Sequence, residues 1–187
     1  GITGFDVVRE HPHNDLVVMH EGLGYGFCKL VVAVPESWVD VDGMADLSDV
    51  AADLRRLHGR SLRVATTYTG LARQFLHSRG IHHFSLVRAE GAIEAAPTIG
   101  YADIVVDLVQ TGTTLRENHL KPLGDGTIIE SQACLVGNLR ALRQQPETLE
   151  VAQTMLEFID ASLQGRQVRQ LTINLQGTSP EDIARQV

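Results

Sequence analysis

The chain has 187 residues, enough for one large or two small domains with a real core. Apolar residues make up 43%, and 23 acidic against 16 basic side chains leave a net charge of −7, which argues against a nucleic-acid surface. No apolar run approaches the ~20 residues of a membrane span, so the composition is that of a globular protein, in which a local donor-rich pocket can still bind an anion.

In chain order, residues 1–8 read as a strand end, a turn and a helix. Residues 22–29 are a glycine-rich loop that ends on a cation, Lys29, at the entry of an apolar strand, 30–34, stopped by Pro35. Leu47, Val50, Leu54 and Leu57 recur at helical spacing over 46–58, and Gly59 closes that helix. A strand over 62–66 follows, then a helix that starts near 67–70, runs through Leu71, Phe75 and Leu76, and ends by Gly80. His82 and His83 precede a strand at 84–87. Neighbours on a strand point to opposite faces, so the pair is not expected to share a metal. A helix beginning at Glu94 leads to the apolar run Ile104, Val105, Val106. Beyond it, 127–130 and 133–136 read as strand with a kink. Pro146 and Glu147 start a long helix striped by Leu149, Ala152, Leu156, Ile159 and Leu163. Residues 168–175 alternate as a strand, and 177–182 form a turn with a helix cap. The alternation of strands and helices implies parallel sheets with helical cover.

Two cysteines, Cys28 and Cys134, are too few for a disulfide scaffold; they fit a reducing cytosol and read as small buried hydrophobes. The first residues lack the basic and apolar regions of a signal peptide. Gly1 opens without Met and Val187 closes inside an apparent helix, so both ends are read as cuts.

The informative stretch is 107–115, Asp-Leu-Val-Gln-Thr-Gly-Thr-Thr-Leu. A buried strand ends, a small polar loop follows and a helix begins. A helix start presents N–H groups without helical partners at the positive end of a dipole, a ready anion site. Gly112 allows close backbone approach, and Thr111, Thr113 and Thr114 add hydroxyls. Asp107 stands at the carboxyl end of the strand, where open α/β sheets place ligands. A phosphate on the loop and a sugar hydroxyl on Asp107 would describe a ribose 5-phosphate. Taken alone, the nonapeptide fits equally an ordinary strand-to-helix turn with a Thr cap. It is not a Walker loop, because no Gly-Lys-Ser/Thr follows.

The longer segment 91–115 joins Gly91-Ala92-Ile93-Glu94-Ala95-Ala96-Pro97, the Ala102-Asp103 strand entry and the loop at fixed spacing. It resembles the signature of ATP phosphoribosyltransferase, the enzyme of the first committed step of histidine biosynthesis. The resemblance extends to Gly1-Ile2-Thr3-Gly4-Phe5-Asp6, to the loop 22–29, and to Arg63, Ala65, Thr66 and Tyr68. Thr69 stands where the family usually has Pro, which relaxes a helix start without removing a reactive group. Phosphoribosyltransferases of the more common fold carry two adjacent acids before their loop, and Val106 fills the first of those places here.

The resemblance implies an α/β, two-lobed fold like type II periplasmic binding proteins. It places lobe one at 1–29 and 126–163, lobe two at 30–125, and the start of a regulatory domain of the long, allosteric form at 164–187. It implies transfer of a phosphoribosyl group from phosphoribosyl pyrophosphate to N1 of ATP. Thr111, Gly112, Thr113 and Thr114 would hold the 5-phosphate. Glu94 and Asp107 would bind the ribose hydroxyls and face an oxocarbenium-like centre. Mg²⁺ would be held by the pyrophosphate rather than by protein ligands. Lys29, Arg63 and Tyr68 would face ATP. The partners implied are these two substrates and, at full length, further copies in a dimer or hexamer, in the cytoplasm, with neither nucleic acid nor membrane. These 187 residues alone are expected to bind phosphoribosyl pyrophosphate weakly without turnover. A different phosphoribosyltransferase and a non-catalytic two-lobed ligand-binding module are the competing readings.

Overall fold

A computed structural model describes residues 1–88 and 91–167. Strands β1 (Ile2–Gly4), β2 (Leu16–His20) and β8 (Ala133–Asn138) make a three-stranded antiparallel sheet in the order β1-β8-β2. Strands β3 (Cys28–Pro35), β4 (Leu62–Thr66), β5 (Phe84–Arg88), β6 (Ile104–Val109) and β7 (Leu120–Ser131) make a five-stranded sheet in the order β5-β4-β6-β3-β7. The strand–helix alternation yields its parallel pairs in β5-β4-β6. β3, the first strand of this sheet in the chain, pairs antiparallel with β6 and with β7, its last.

β3 is the centre of the larger core. Its alternate residues Leu30, Val32 and Val34 pack with Met44, Leu47, Leu62 and Leu76, while Val31 and Ala33 pack with Val105, Leu115 and Leu120 on the other face. A strand buried on both faces reads as a continuous apolar run, as this one does. Full burial of one such leucine contributes about 1.5–3 kcal/mol.

Helix α1 (Phe5–Glu10) follows β1 directly. Helix α2 (Met44–His58) starts where the Asp46 carboxylate accepts from the N–H groups of Asp42 and Gly43. Asp125 accepts from Met44 N–H at 2.7 Å. Its end is Gly59 at φ 63°, the left-handed conformation that glycine adopts without steric cost. Helix α3 (Thr69–Ser78) connects β4 to β5. Helix α4 (Thr113–Glu117) is little more than one turn. Helices α5 (Leu139–Gln144) and α6 (Pro146–Gln167) follow β8, and Leu156 and Ile159 of α6 pack on Leu23, Ala133 and Leu135.

Four features depart from the sequence reading. β2 and α5 were not anticipated. β7 begins at Leu120 rather than near 127. The segment around Pro122, Gly124 and Gly126 bulges between the pairs Ala33–Pro122 and Val31–Thr127, with Leu123 buried and Asp125 capping α2. The chain passes from the five-stranded to the three-stranded sheet at Gln132, between β7 and β8. The helix expected at Glu94 is a single 3₁₀ turn, Ile93–Ala95. Pro97 lacks the N–H that would bond the Ile93 carbonyl, and Ala96 N–H takes that carbonyl at 3.0 Å instead. The strand and turn expected at 168–175 and 177–182 lie outside the described residues.

Candidate active site

β6 runs three residues past Val106 because Lys29, Leu30 and Val31 of β3 pair with Val109, Leu108 and Asp107. Asp107 is thus inside the strand, half-buried, and the loop begins only at Gln110. A cavity of about 370 Å³ opens here, lined by Glu94, Asp107, Thr111, Gly112 and Thr114, with Cys28 on its wall. The Thr113 hydroxyl lies 3.0 Å from that of Thr111, so the whole threonine set is gathered at the cavity mouth. Glu94 arrives from the 3₁₀ turn, whose Ile93 is buried in the same core cluster as Val105 and Leu115.

Burial pushes the Asp107 carboxyl above its ordinary value, and the Glu94 charge pushes the same way. The Leu108 N–H, donating to Oδ1 at 2.8 Å, opposes both. Gly112 caps α4 at φ 75°, in the left-handed region. An added Cβ would meet only Val109 Cγ1, at 3.9 Å, so backbone conformation rather than crowding is what requires glycine in the unliganded loop.

The other three candidates separate. Lys29 stands beside the loop through its pairing with Val109, and its Nζ donates to Glu130 at 2.6 Å on the exposed rim. Tyr68, at the β4–α3 turn, donates its hydroxyl to Asp6 at 2.6 Å. Arg63 is not part of the cavity. The parallel register sets Val64 against Ile104, which puts Arg63 near Asp103, four residues and roughly 13 Å along β6 from Asp107. There Arg63 and Arg60 both donate to the buried Asp103 carboxylate, and Arg63 also donates to the Gly100 carbonyl. A second cavity, of about 390 Å³, opens beside this cluster and Trp38, and its carboxylate is already neutralised.

Asp6, Glu10, Cys28 and Ser131 were given no part in the site by the sequence reading. Cys28 was taken for a buried hydrophobe, yet it is half-exposed at the cavity wall, while Cys134 is buried. Asp6 was visible only as the last residue of its short motif. Its partner Ser131 lies 125 residues away, beyond any local signal.

The sequence model of the HisG family, ATP phosphoribosyltransferase, matches residues 1–160. An ATP phosphoribosyltransferase of Mesorhizobium japonicum is 52% identical over 144 residues, covering 75% of this chain and 62% of the relative. One of Rhizobium etli is 48% identical over 166 residues, covering 87% of this chain and 71% of the relative. Among solved structures, the ATP phosphoribosyl transferase (HisG:HisZ) complex of Thermotoga maritima aligns with a TM-score of 0.66 at 24% identity, over 85% of this chain and 68% of that one. That alignment supports the fold. The chain thus spans about three fifths to seven tenths of the length of these relatives.

Proposed function

The chain belongs to the ATP phosphoribosyltransferase family, and on that footing we propose that its cavity binds phosphoribosyl pyrophosphate for transfer to N1 of ATP, the first step of histidine biosynthesis. The observation that supports this most is the gathering of Glu94, Asp107 and the Thr111–Thr114 loop around one pocket. The loop's hydroxyls and the first N–H groups of α4, which have no carbonyl four residues back, suit the three oxygens of a 5-phosphate. Asp107 and Glu94 suit the ribose hydroxyls.

In the reaction the bond from C1 to the pyrophosphate oxygen breaks, and that oxygen leaves with the electron pair. The adenine N1 lone pair forms the new bond to C1. Positive charge develops on the ribose between these events, and two fixed carboxylates next to it stabilise the transition state more than the ground state. No general base is needed, since N1 attacks with a free lone pair. The carboxylates and hydroxyls of the cavity suit a hard cation, and Mg²⁺ bound with the pyrophosphate would neutralise the leaving group. Lys29, beside the loop, is the candidate cation on the ATP side; Arg63 is engaged elsewhere.

The proposal includes two lobes, one around each sheet, and assembly with further copies. Exposed Val151, Met155 and Phe158 on α6 support the latter. Two unpaired cysteines suit the cytoplasm. Among the described residues, no helix is long and apolar enough to cross a membrane. Pyrophosphate release on mixing the full-length protein with ATP, phosphoribosyl pyrophosphate and Mg²⁺ tests the activity. Binding of the sugar phosphate without release would favour a non-catalytic module.

A further inference from the structure

Helix α1 carries two carboxylates four residues apart, Asp6 and Glu10, a spacing that sets both on one helix face. Both reach across to elements of the five-stranded sheet. Asp6 is only 3% exposed. Its Oδ2 accepts the Tyr68 hydroxyl and its Oδ1 accepts the Ser131 hydroxyl, each at 2.6 Å, while its own N–H donates to Ser131 Oγ at 2.9 Å. Glu10 accepts from Gly70 N–H at 2.8 Å and from Leu71 N–H at 2.9 Å. Those are first-turn donors of α3, whose own cap residue, Tyr68, provides no side-chain acceptor. The cap is therefore supplied in trans by α1. A Cβ on Gly70 would stand 3.2 Å from the Glu10 carboxylate, a tight contact that the side chain would relieve by a shift of a few tenths of an ångström.

The Ser131 anchor adjoins the phosphoribosyl cavity through its strand partner. Ser131 pairs across strands with Cys28, which is on the cavity wall. Tyr68 lies on the turn after β4, the strand that pairs in parallel with β6, which carries Asp107. Burial first, and the Asp6 contact next, hold the Tyr68 hydroxyl protonated well past its ordinary range. We infer that α1 is a positioning element for this cavity: Asp6 and Glu10 lock the β4–α3 turn and the end of β7 against the wall that carries Asp107 and Cys28. Tyr68 is then a positioning residue acting through Asp6. The inference rests on the proposed ligand only for its binding readout.

The test uses Tyr68→Phe, Glu10→Ala and Asp6→Asn in this chain, with two measurements. Amide exchange at Gly70 and Leu71 reads the cap, and calorimetry with phosphoribosyl pyrophosphate and Mg²⁺ reads the cavity. Glu10→Ala is expected to speed exchange at both amides by about tenfold. Loss of one or two hydrogen bonds in Tyr68→Phe and Glu10→Ala is expected to weaken binding by about 5–10-fold. Asp6→Asn can still accept from Tyr68 and donate to Ser131, so its affinity should stay within about twofold of the parent. Unchanged exchange in Glu10→Ala overturns the contact. Parental affinity in both Tyr68→Phe and Glu10→Ala reduces α1 to a structural cap and overturns the inference. So does loss of binding in Asp6→Asn alone, which would make Asp6 a charge acting on the ligand. A parent that binds no phosphoribosyl pyrophosphate refutes the functional reading instead, and the exchange measurement still decides whether α1 holds α3.

Discussion

Asp103 and Asp107 lie four residues apart, one just before β6 and the other inside it, and their surroundings are opposite in kind. Burial alone would raise the Asp103 carboxyl, but donors from the Arg63 and Arg60 side chains and the Arg63 N–H bring it down to about 2. Asp107 is pushed the other way by burial and by Glu94. Asp103 is neutralised, and its bonds tie β4 to the entry of β6. Asp107 faces a second carboxylate across a cavity. The protein holds one acid where charge is satisfied and another where charge is waiting for a partner, and only the second arrangement suits a site that meets developing positive charge.

The sharpest way to break this contrast is Asp107→Asn in the full-length protein. It removes charge and little volume, so turnover should fall on the order of 10²-fold while the fold persists. Parental turnover would reject the role. Asp103→Asn should do the reverse, with a loss on the order of 2 kcal/mol in urea unfolding and parental binding of phosphoribosyl pyrophosphate. The sign follows from its lowered value. The stabilisation is present above the unfolded value near 4 and is lost as pH falls toward 2, so the variant should lack that part of the acid dependence. Gly112→Ala forces a side chain into left-handed backbone and should cost about 1 kcal/mol in unfolding. Glu94→Gln removes a charge that raises Asp107, so the acid limb of the rate profile should move to lower pH. A shift to higher pH would contradict the coupling.

Much of the larger sheet was legible because its signals are local. The β-branched run at 30–34, the apolar helix face at 47–57 and the glycine that ends it need no distant partner to be read. The loop after β6 was legible as a strand-to-helix turn, and Thr111, Thr114, Glu94 and Asp107 line one cavity. The surroundings of Arg63 were not legible because they depend on strand register: an arginine at a strand start is solvated or clamped according to what pairs beside it, here Asp103. The Glu94 helix failed on Pro97, whose missing N–H leaves only a 3₁₀ turn. The start of β7 was not legible because Gly124 and Gly126 signal a turn equally whether they end a strand or bulge within it. Asp6 with Ser131, and Glu10 with Gly70, were out of reach because their partners lie far along the chain.

The central claim is that the Asp107 end of β6, and not the Asp103 end, holds the sugar phosphate. Calorimetric titration of phosphoribosyl pyrophosphate with Mg²⁺ into the parent, Asp107→Ala, Gly112→Val and Asp103→Asn tests it most directly. The account predicts one site in the parent, parental affinity in Asp103→Asn, and affinity lower by at least about tenfold in Asp107→Ala and Gly112→Val, the worth of one good polar contact. Parental affinity in Asp107→Ala and Gly112→Val, with loss in Asp103→Asn, would place the ligand at the wrong end of the strand and contradict it.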